Sequence, residues 1–219
     1  MKYKSIKYIF PLRNPTLYEL YGTDNYGIKG NTSLNPEKSK TNEFTINYDY
    51  SENILFKSTA YKTKIFDRIE SNAAYSKHEN MKTDIKQEGL ENTVSFKNNN
   101  HAISLFSNFS KSRKDNGQAQ NRRPDLSYGA NYSAKIKNSP IGELMMNVNY
   151  KYTGNYTDWD GVKNSKQKSV DIVNLTLNKK IFKNSISFDI KNLFDKHYEK
   201  PATYGQDGRR MSINFRKTY

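Results

Sequence analysis

The sequence contains a succession of segments in which apolar and polar residues alternate with a period of two. This period places successive side chains on opposite faces of a β-strand, so each segment predicts a strand with one apolar and one polar face. About ten strands of roughly 9–11 residues are expected, a length with which a tilted strand crosses a bilayer. They lie near residues 3–10, 44–50, 54–65, 90–96, 103–109, 126–136, 144–152, 173–177, 186–190 and 211–219.

The connections between these segments alternate between short and long. The short ones cover 51–53, 97–100, 138–141 and 180–184, and the long ones cover 11–42, 66–82, 112–125, 154–167 and 193–207. Outer-membrane barrels have short periplasmic turns and long extracellular loops, so the sequence predicts an all-β fold, an antiparallel up-and-down transmembrane β-barrel. A soluble antiparallel sheet with one buried face is the alternative interpretation of the same alternation.

Composition narrows the class of protein further. Only 34% of the 219 residues are hydrophobic and the net charge is +14, values that suggest disorder or nucleic-acid binding. The aromatic content of 13% argues against disorder. Cysteine is absent, which excludes disulfides and thiol chemistry. The sequence has neither an apolar run long enough for a spanning helix nor a signal-peptide core at its start, whereas barrel strands carry their hydrophobicity in alternate positions.

Two groups of charged residues in the long connections are candidate binding sites. Asp158 and Asp160 flank Trp159, the only tryptophan. A calcium loop would need further oxygen ligands, so a solvated loop with Trp159 at the membrane interface or against a ligand is favoured. The second group is a basic loop beside Asp115 and Asp125, formed by Arg113, Lys114, Arg122 and Arg123.

This basic loop lacks the docking element or stacking platform that nucleic-acid binding requires, and contact with anionic lipopolysaccharide is the favoured interpretation. The three histidines, His78, His101 and His197, have no spacing typical of a metal site or a catalytic base. The sequence therefore predicts no catalytic residue, no metal site and no cofactor.

Several ordered motifs resemble the TonB-dependent outer-membrane receptors, with the cobalamin-receptor branch as the nearest relative. They are "NPTLYELYG" (14–22), "GNTSLNPEKSKTNEF" (30–44), "EGLEN" (88–92), "NRRPDLSYGANY" (121–132) and "IKNLFDKHYEKPATYGQDGRRMSINFRKTY" (190–219). The matching positions are Pro15, Leu17, Glu19, Leu20, Tyr21, Gly22, Asn31, Leu34, Pro36, Glu37, Glu43, Gly89, Glu91, Arg123, Pro124, Asn192, Leu193, Phe194, Asp195, Tyr198, Gly208 and Arg209.

The resemblance also concerns the end of the chain. In this family the closing strand with its terminal aromatic residue is similar to the signal read by the barrel-assembly machinery. Met211, Ile213, Phe215 and Tyr219 match that pattern. Lys217 departs from it, although a lysine near the membrane rim can extend its ammonium group to the headgroups.

The resemblance implies a receptor in the outer membrane of a Gram-negative bacterium. Such a receptor binds a scarce nutrient (cobalamin, a siderophore or another metal chelate) and imports it with energy from TonB. Its implied partners are outer-membrane lipid and lipopolysaccharide, the assembly machinery and the nutrient, but not nucleic acid.

Family members also have a signal peptide, a TonB box, a plug domain and a barrel of about 22 strands. Residues 1–219 resemble only the C-terminal part of that barrel. Met1 is therefore expected to be an internal or accidental start, or to result from a split gene or a truncated gene model. Contact with TonB is expected to pass through a plug outside these residues. Two alternatives remain open. A small autonomous barrel, acting as an anchor or adhesin, would pair residues 3–10 with 208–219. A soluble basic β-protein would bind polyanions.

Overall fold

The alternating segments form one antiparallel sheet in a computed structural model of the protein, which describes residues 2–25, 27–72 and 74–217. The chain order is β1 (Lys2–Ile9), β2 (Leu12–Arg13), α1 (Leu17–Tyr21), β3 (Glu37–Ser51), β4 (Ile54–Phe66), β5 (Ile69–Ser71), β6 (His78–Asn80), β7 (Ile85–Lys97), β8 (His101–Lys114), β9 (Leu126–Ile136), β10 (Leu144–Thr153), β11 (Tyr156–Trp159), β12 (Asn164–Gln167), β13 (Val170–Ile181), β14 (Asn184–Lys191) and β15 (Arg210–Arg216).

Ten strands follow one another across this sheet in the order β1-β3-β4-β7-β8-β9-β10-β13-β14-β15, and β2 also pairs with β3. The pairs β5–β6 and β11–β12 form separate two-stranded sheets. Each strand of the main path is antiparallel to its neighbour, which is the up-and-down arrangement that the alternation predicted.

The predicted alternation of connection lengths is confirmed. The short turns cover 52–53, 98–100, 137–143 and 182–183, and the long connections cover 10–36, 67–84, 115–125, 154–169 and 192–209. Because neighbouring strands are antiparallel, all turns lie at one end of the sheet, the turn end, and all long connections at the other, the loop end. Both small hairpins and α1 lie in the long connections.

The polar face of the sheet is more buried than the apolar face, which is the reverse of a soluble sheet. Thr45 is 5% exposed, whereas its neighbour Phe44 on the opposite face is 40% exposed. The face of Thr45, called the inner face, is mostly polar, and the face of Phe44, the outer face, is mostly apolar. A soluble antiparallel sheet buries its apolar face. An apolar outer face around a polar interior is instead the arrangement of a transmembrane β-barrel, so this sheet is part of such a barrel wall.

Hydrogen bonds across neighbouring strands satisfy the polar groups of the inner face. The Thr45 and Thr59 hydroxyls lie 3.0 Å apart on paired positions of β3 and β4. On β13, the Thr176 hydroxyl donates to Asp189 of β14 at 2.7 Å. Hydrogen-bonded polar side chains of this kind stabilise the pairing of neighbouring strands. The hydrogen bonds also offset the free-energy cost of partly burying these polar groups.

Tyrosines lie near both ends of the outer face. Tyr128 of β9 stacks on Tyr152 of β10 with ring centroids 4.6 Å apart at the loop end, and Tyr150 is adjacent. At the turn end, the rings of Tyr48 and Tyr50 in β3 are 6.4 Å apart. Bands of aromatic residues at two levels are typical of the interfaces between membrane and water.

The sheet is open along β1 and β15. No pair joins these two strands among the residues that the structure describes, so the closed ten-stranded pairing expected of a small autonomous barrel is not formed there. Met211, Ile213 and Phe215 lie exposed on the outer face of β15, while Tyr219 is outside the described residues. Their role as an assembly signal stays a prediction. Within the described ranges, no helix has the length and apolarity needed to cross a membrane.

Single cysteines can test which face meets lipid, because the chain has none of its own. Leu105 and Ser104 are neighbours on opposite faces of β8. In lipid vesicles, we expect Ser104→Cys to react about ten times faster than Leu105→Cys with a charged thiol reagent, because only the inner face is wet. A lipid-soluble quencher should act more strongly on a fluorophore attached at residue 105. Equal reactivity at the two positions would contradict the assignment of faces.

Candidate ligand-binding site

Residues of the first long connection fold around Arg13 and the short helix α1. The Thr16 hydroxyl accepts a hydrogen bond from the Glu19 N–H at 3.2 Å, and the Glu19 carboxylate accepts one from the Thr16 N–H at 2.8 Å, which together form a capping box. The Arg13 guanidinium bonds to Glu19 at 3.1 Å and to Glu37 at 3.3 Å. Arg13 therefore links α1 to the beginning of β3.

Gly30 and Asn31 connect the region of α1 to the second long connection, residues 67–84. The Gly30 N–H donates to the Gly22 carbonyl at 2.7 Å, and the Asn31 side chain donates to the His78 carbonyl at 3.0 Å. A Cβ at Gly30 would lie 2.5 Å from the Tyr21 nitrogen, closer than side chains approach backbone. Only glycine fits there without a backbone shift.

The last long connection is closed at its base by two side chains. Asn192 is 5% exposed, and its amide donates to the carbonyls of Lys196 at 2.9 Å and Asp207 at 3.3 Å. The Asp195 carboxylate accepts a hydrogen bond from the Arg209 N–H at 2.6 Å. The matching "NLFD" and glycine–arginine positions thus join the two ends of one loop.

The other matching positions are scattered over the sheet and its connections. Gly89 lies on the inner face of β7, where a Cβ would come within 2.6 Å of the Tyr61 hydroxyl. Glu91 is exposed on the same face, and Glu43 lies 3.6 Å from the Lys7 ammonium group. The rest occupy the long connections at Pro15, Leu17, Leu20, Tyr21, Leu34, Pro36, Arg123, Pro124, Leu193, Phe194, Tyr198 and Gly208. The structure does not bring these positions together, and a direct functional role for them stays a prediction.

Asp158 links three long connections from a buried position. It is 1% exposed, and its carboxylate accepts hydrogen bonds from the Arg122 guanidinium at 2.8 Å and from the Ala202 N–H at 2.9 Å. The Trp159 N–H donates to it as well, at 2.9 Å. Burial by itself would raise the pKa of Asp158, but these hydrogen bonds outweigh it and hold the pKa below its ordinary value.

The interpretation of this segment as a solvated loop is therefore wrong for Asp158. Asp160 has a different environment, since its carboxylate accepts the N–H groups of Val162 and Lys163 in the turn between β11 and β12. The two carboxylates thus have separate partners. Trp159 is 52% exposed, and its predicted contact with the interface or a ligand stays untested. Across the described ranges, no three histidine or acidic side chains are placed to hold a metal ion.

Two of the four cations of the basic loop, Arg113 and Arg122, are paired with carboxylates. Arg113 makes two hydrogen bonds to Asp125, at 3.0 and 2.5 Å, and the Lys86 ammonium group lies 3.0 Å from Asp115. Arg122 is held by Asp158, as described above. This pairing lowers the free positive charge of the loop, and its contact with lipopolysaccharide stays a prediction.

A cavity of about 600 Å³ lies at the loop end, on the inner face of the sheet. Its floor is formed by β10 and β13, and its sides by the β11–β12 hairpin and residues 196–200. Its lysines are Lys151, Lys166, Lys168, Lys196 and Lys200. His197 also lines it, which gives this histidine a place that its sequence spacing did not indicate. Sequence reasoning missed the cavity, because only the folded chain shows that residues 149–174 and 196–200 enclose one recess.

The role of Asp158 can be tested by removing its carboxylate. We expect Asp158→Ala to increase amide hydrogen exchange at Ala202 and Trp159 about 10- to 100-fold, because charge-assisted hydrogen bonds contribute about 1.5–3 kcal/mol each. Asp160→Ala removes only contacts within the β11–β12 hairpin and serves as the matched control. Unchanged exchange at Ala202 would show that Asp158 does not hold the connections together.

The lowered pKa of Asp158 also predicts a pH dependence. A carboxyl group whose pKa is lower in the folded protein stabilises it fully above the ordinary pKa of about 4, and this stabilisation is lost as pH falls through the lowered value. We expect amide protection at Ala202, corrected for intrinsic exchange, to decrease below about pH 4 in the wild type. In Asp158→Asn, protection should be weak at every pH. Wild-type protection that is constant down to strong acid would contradict this prediction.

Comparisons with known proteins place this arrangement in a family. The sequence profile of the family described as "TonB dependent receptor-like, beta-barrel" matches residues 12–193. No curated protein sequence matches the chain.

Solved structures of iron receptors share the fold. The FrpB iron transporter from Neisseria meningitidis is 16% identical with a TM-score of 0.73, the match covering 97% of this chain and 36% of that one. The ferripyoverdine receptor of Pseudomonas aeruginosa is 18% identical with a TM-score of 0.72, over 98% and 30% of the two chains. The ferric-catecholate import receptor Fiu from E. coli K12 is 14% identical with a TM-score of 0.72, over 97% and 32%.

The chain thus spans about a third of the length of these receptors. At these identities the structural likeness establishes the fold, and the profile match covers most of the sequence. The cobalamin branch suggested by the motifs stays a prediction. The chain belongs to the TonB-dependent receptor-like β-barrel family.

Proposed function

We propose that this chain forms the loop-bearing part of an outer-membrane receptor that imports a scarce nutrient. Family membership supports import in general, and the inverted exposure of the two faces supports a position in the outer membrane of a Gram-negative bacterium. The energy would come from TonB through a plug domain that lies outside this chain. The proposal contains no catalytic step.

The observation that carries the proposal is the cavity at the loop end. Its volume of about 600 Å³ falls in the range of small-molecule sites, which is roughly 300–1,000 Å³. It opens on the inner face, where a solute entering the barrel from the loop end would meet it. The wall's strands and the stabilised long connections hold this cavity in place, as rigid elements do for binding loops in general.

Metal chelates are the nutrient class that we propose. The similar structures are named as an iron transporter, a ferripyoverdine receptor and a ferric-catecholate import receptor. Cobalamin, which the sequence motifs suggested, is the alternative nutrient. The other partners in this proposal are lipid and lipopolysaccharide on the outer face and the assembly machinery at β15. Nucleic acid is not among them.

Deletion of the coding region in the native host tests the proposal. Under iron limitation, we expect uptake of at least one ⁵⁵Fe-labelled chelate to fall to the level of a strain without TonB. Complementation with the intact gene should restore it. Radiolabelled cobalamin under cobalamin limitation tests the alternative nutrient. Unchanged uptake of every chelate and of cobalamin, with the protein present in the outer membrane, would overturn the proposal and favour an anchor or adhesin.

A further inference from the structure

Two neighbouring short turns expose apolar side chains at the turn end. Phe182, at the tip of the turn between β13 and β14, is 98% exposed, and Ile181 beside it is 41% exposed on the outer face. In the turn between β9 and β10, Ile141 is 62% exposed. The two turns are adjacent because β10 pairs with β13. These three side chains, called the turn patch, lie at the rim of the sheet.

Hydrogen bonds fix the turn that carries Ile141. The Lys179 ammonium group, on β13, donates to the Ile141 carbonyl and so links the two turns. The Gly142 N–H donates to the Ser139 carbonyl at 2.9 Å, which closes a tight bend around Ile141. The exposure of Ile141 therefore follows from the fold of its turn.

Phe182 is an unusual residue for the backbone position that it occupies. Its φ of 54° lies in the left-handed region, which bulky residues rarely adopt. Glycine and asparagine are the usual residues at such positions of two-residue turns. Since neither the backbone nor contact with water favours phenylalanine there, the hairpin itself gives no reason for this ring. A contact outside the chain would give one.

Lysines surround the turn patch. They are Lys135, Lys137, Lys179, Lys180 and Lys183. The carboxylate within these two turns is Glu143, which lies 3.1 Å from the Lys135 ammonium group. Lys137, Lys180 and Lys183 form no ion pair with any residue that the structure describes. The turn patch therefore has a basic rim.

The other two short turns have a different character. Their tips, residues 52–53 and 98–100, contain only Glu52 and asparagines. Residues 49–55 carry two carboxylates and no cation, and residues 95–102 carry one lysine, Lys97, and His101. An apolar tip surrounded by lysines is therefore confined to two adjacent turns of the four.

We propose that the turn patch and its lysines bind anionic phospholipid in the leaflet at the turn end. The patch continues the outer face, which meets lipid, so its apolar side chains lie where the headgroup region begins. Surfaces that combine apolar side chains with lysines bind at this depth, and each lysine adds attraction to anionic headgroups. This inference goes beyond the proposed function, because it involves no nutrient and no transport.

Retention of lipid by the purified protein tests the inference. The protein is purified from the native host and placed in nanodiscs with equal amounts of phosphatidylglycerol and phosphatidylethanolamine. The lipids that stay bound after mild detergent extraction are then counted by native mass spectrometry. We expect phosphatidylglycerol to be enriched about threefold or more over phosphatidylethanolamine. Lys180→Gln/Lys183→Gln and Phe182→Asn should each lower this enrichment at least twofold, because each removes one half of the basic and apolar surface.

The choice of variants separates lipid binding from folding. Asparagine adopts the left-handed backbone more readily than phenylalanine, so Phe182→Asn should keep the hairpin intact. Lys180→Arg/Lys183→Arg keeps both charges and should retain the enrichment. Lys97→Gln removes a lysine beside a polar turn and serves as the matched control, with no expected effect. Equal retention of the two lipids by the wild type, or full enrichment in both Lys180→Gln/Lys183→Gln and Phe182→Asn, would overturn the inference.

A cross-link at the tip of the turn identifies what covers it in the cell. Phe182 is replaced by the photoreactive analogue p-benzoylphenylalanine, and the cells are illuminated. We expect the main adduct to be a phospholipid, because the ring lies in the headgroup region. A protein as the main adduct would overturn the inference and indicate a protein partner with acidic groups instead.

Discussion

The structure depends above all on the hydrogen-bond ladder that runs across the sheet. In a bilayer no water is present to satisfy backbone N–H and C=O groups, so strands that cross it must satisfy one another. The continuous antiparallel pairing from β1 to β15 does this for every interior strand of the path. Because the ladder and not an apolar core holds the wall together, its interior can be polar and its exterior apolar. The reversed exposure of Thr45 and Phe44 follows from that freedom.

The strands of the barrel wall could be predicted because the alternation of apolar and polar residues is a local feature of the sequence. Alternation such as that of Phe44, Thr45 and Ile46 depends only on the period of a strand, and the lengths of the connections are read directly from the sequence. The open edges along β1 and β15 agree with the partial barrel that the resemblance implied, whereas alternation alone left closure undecided, since closure depends on the curvature of the whole sheet. The predicted number of strands was about right, whereas their ends were extended by pairing with neighbours, as β3 shows by beginning at Glu37.

The loop end was poorly predictable because its contacts join residues far apart in sequence. Asp158 looked solvated beside Asp160 and Trp159, yet Arg122 and Ala202 enclose it from two other connections. The sequence around Glu19 and Asn192 did not indicate a ligand-binding role. In the structure, these two side chains form hydrogen bonds within their own connections. The cavity's lysines were not recognised as a group, although Lys151, Lys166 and Lys168 are close in sequence, because only the folded chain shows that they line one recess.

The two strands of the β11–β12 hairpin have different roles. Asp158 on β11 is tied to the neighbouring connections, whereas Lys166 on β12 faces the cavity. The backbone of Asp158 pairs with that of Ser165, and this pairing positions β12 independently of the side chains at residues 166–168. Mutation can therefore alter residues 166–168 at little cost to folding. In the receptor proposed above, residues 166–168 can therefore change with the ligand while the contacts of Asp158 stay constant.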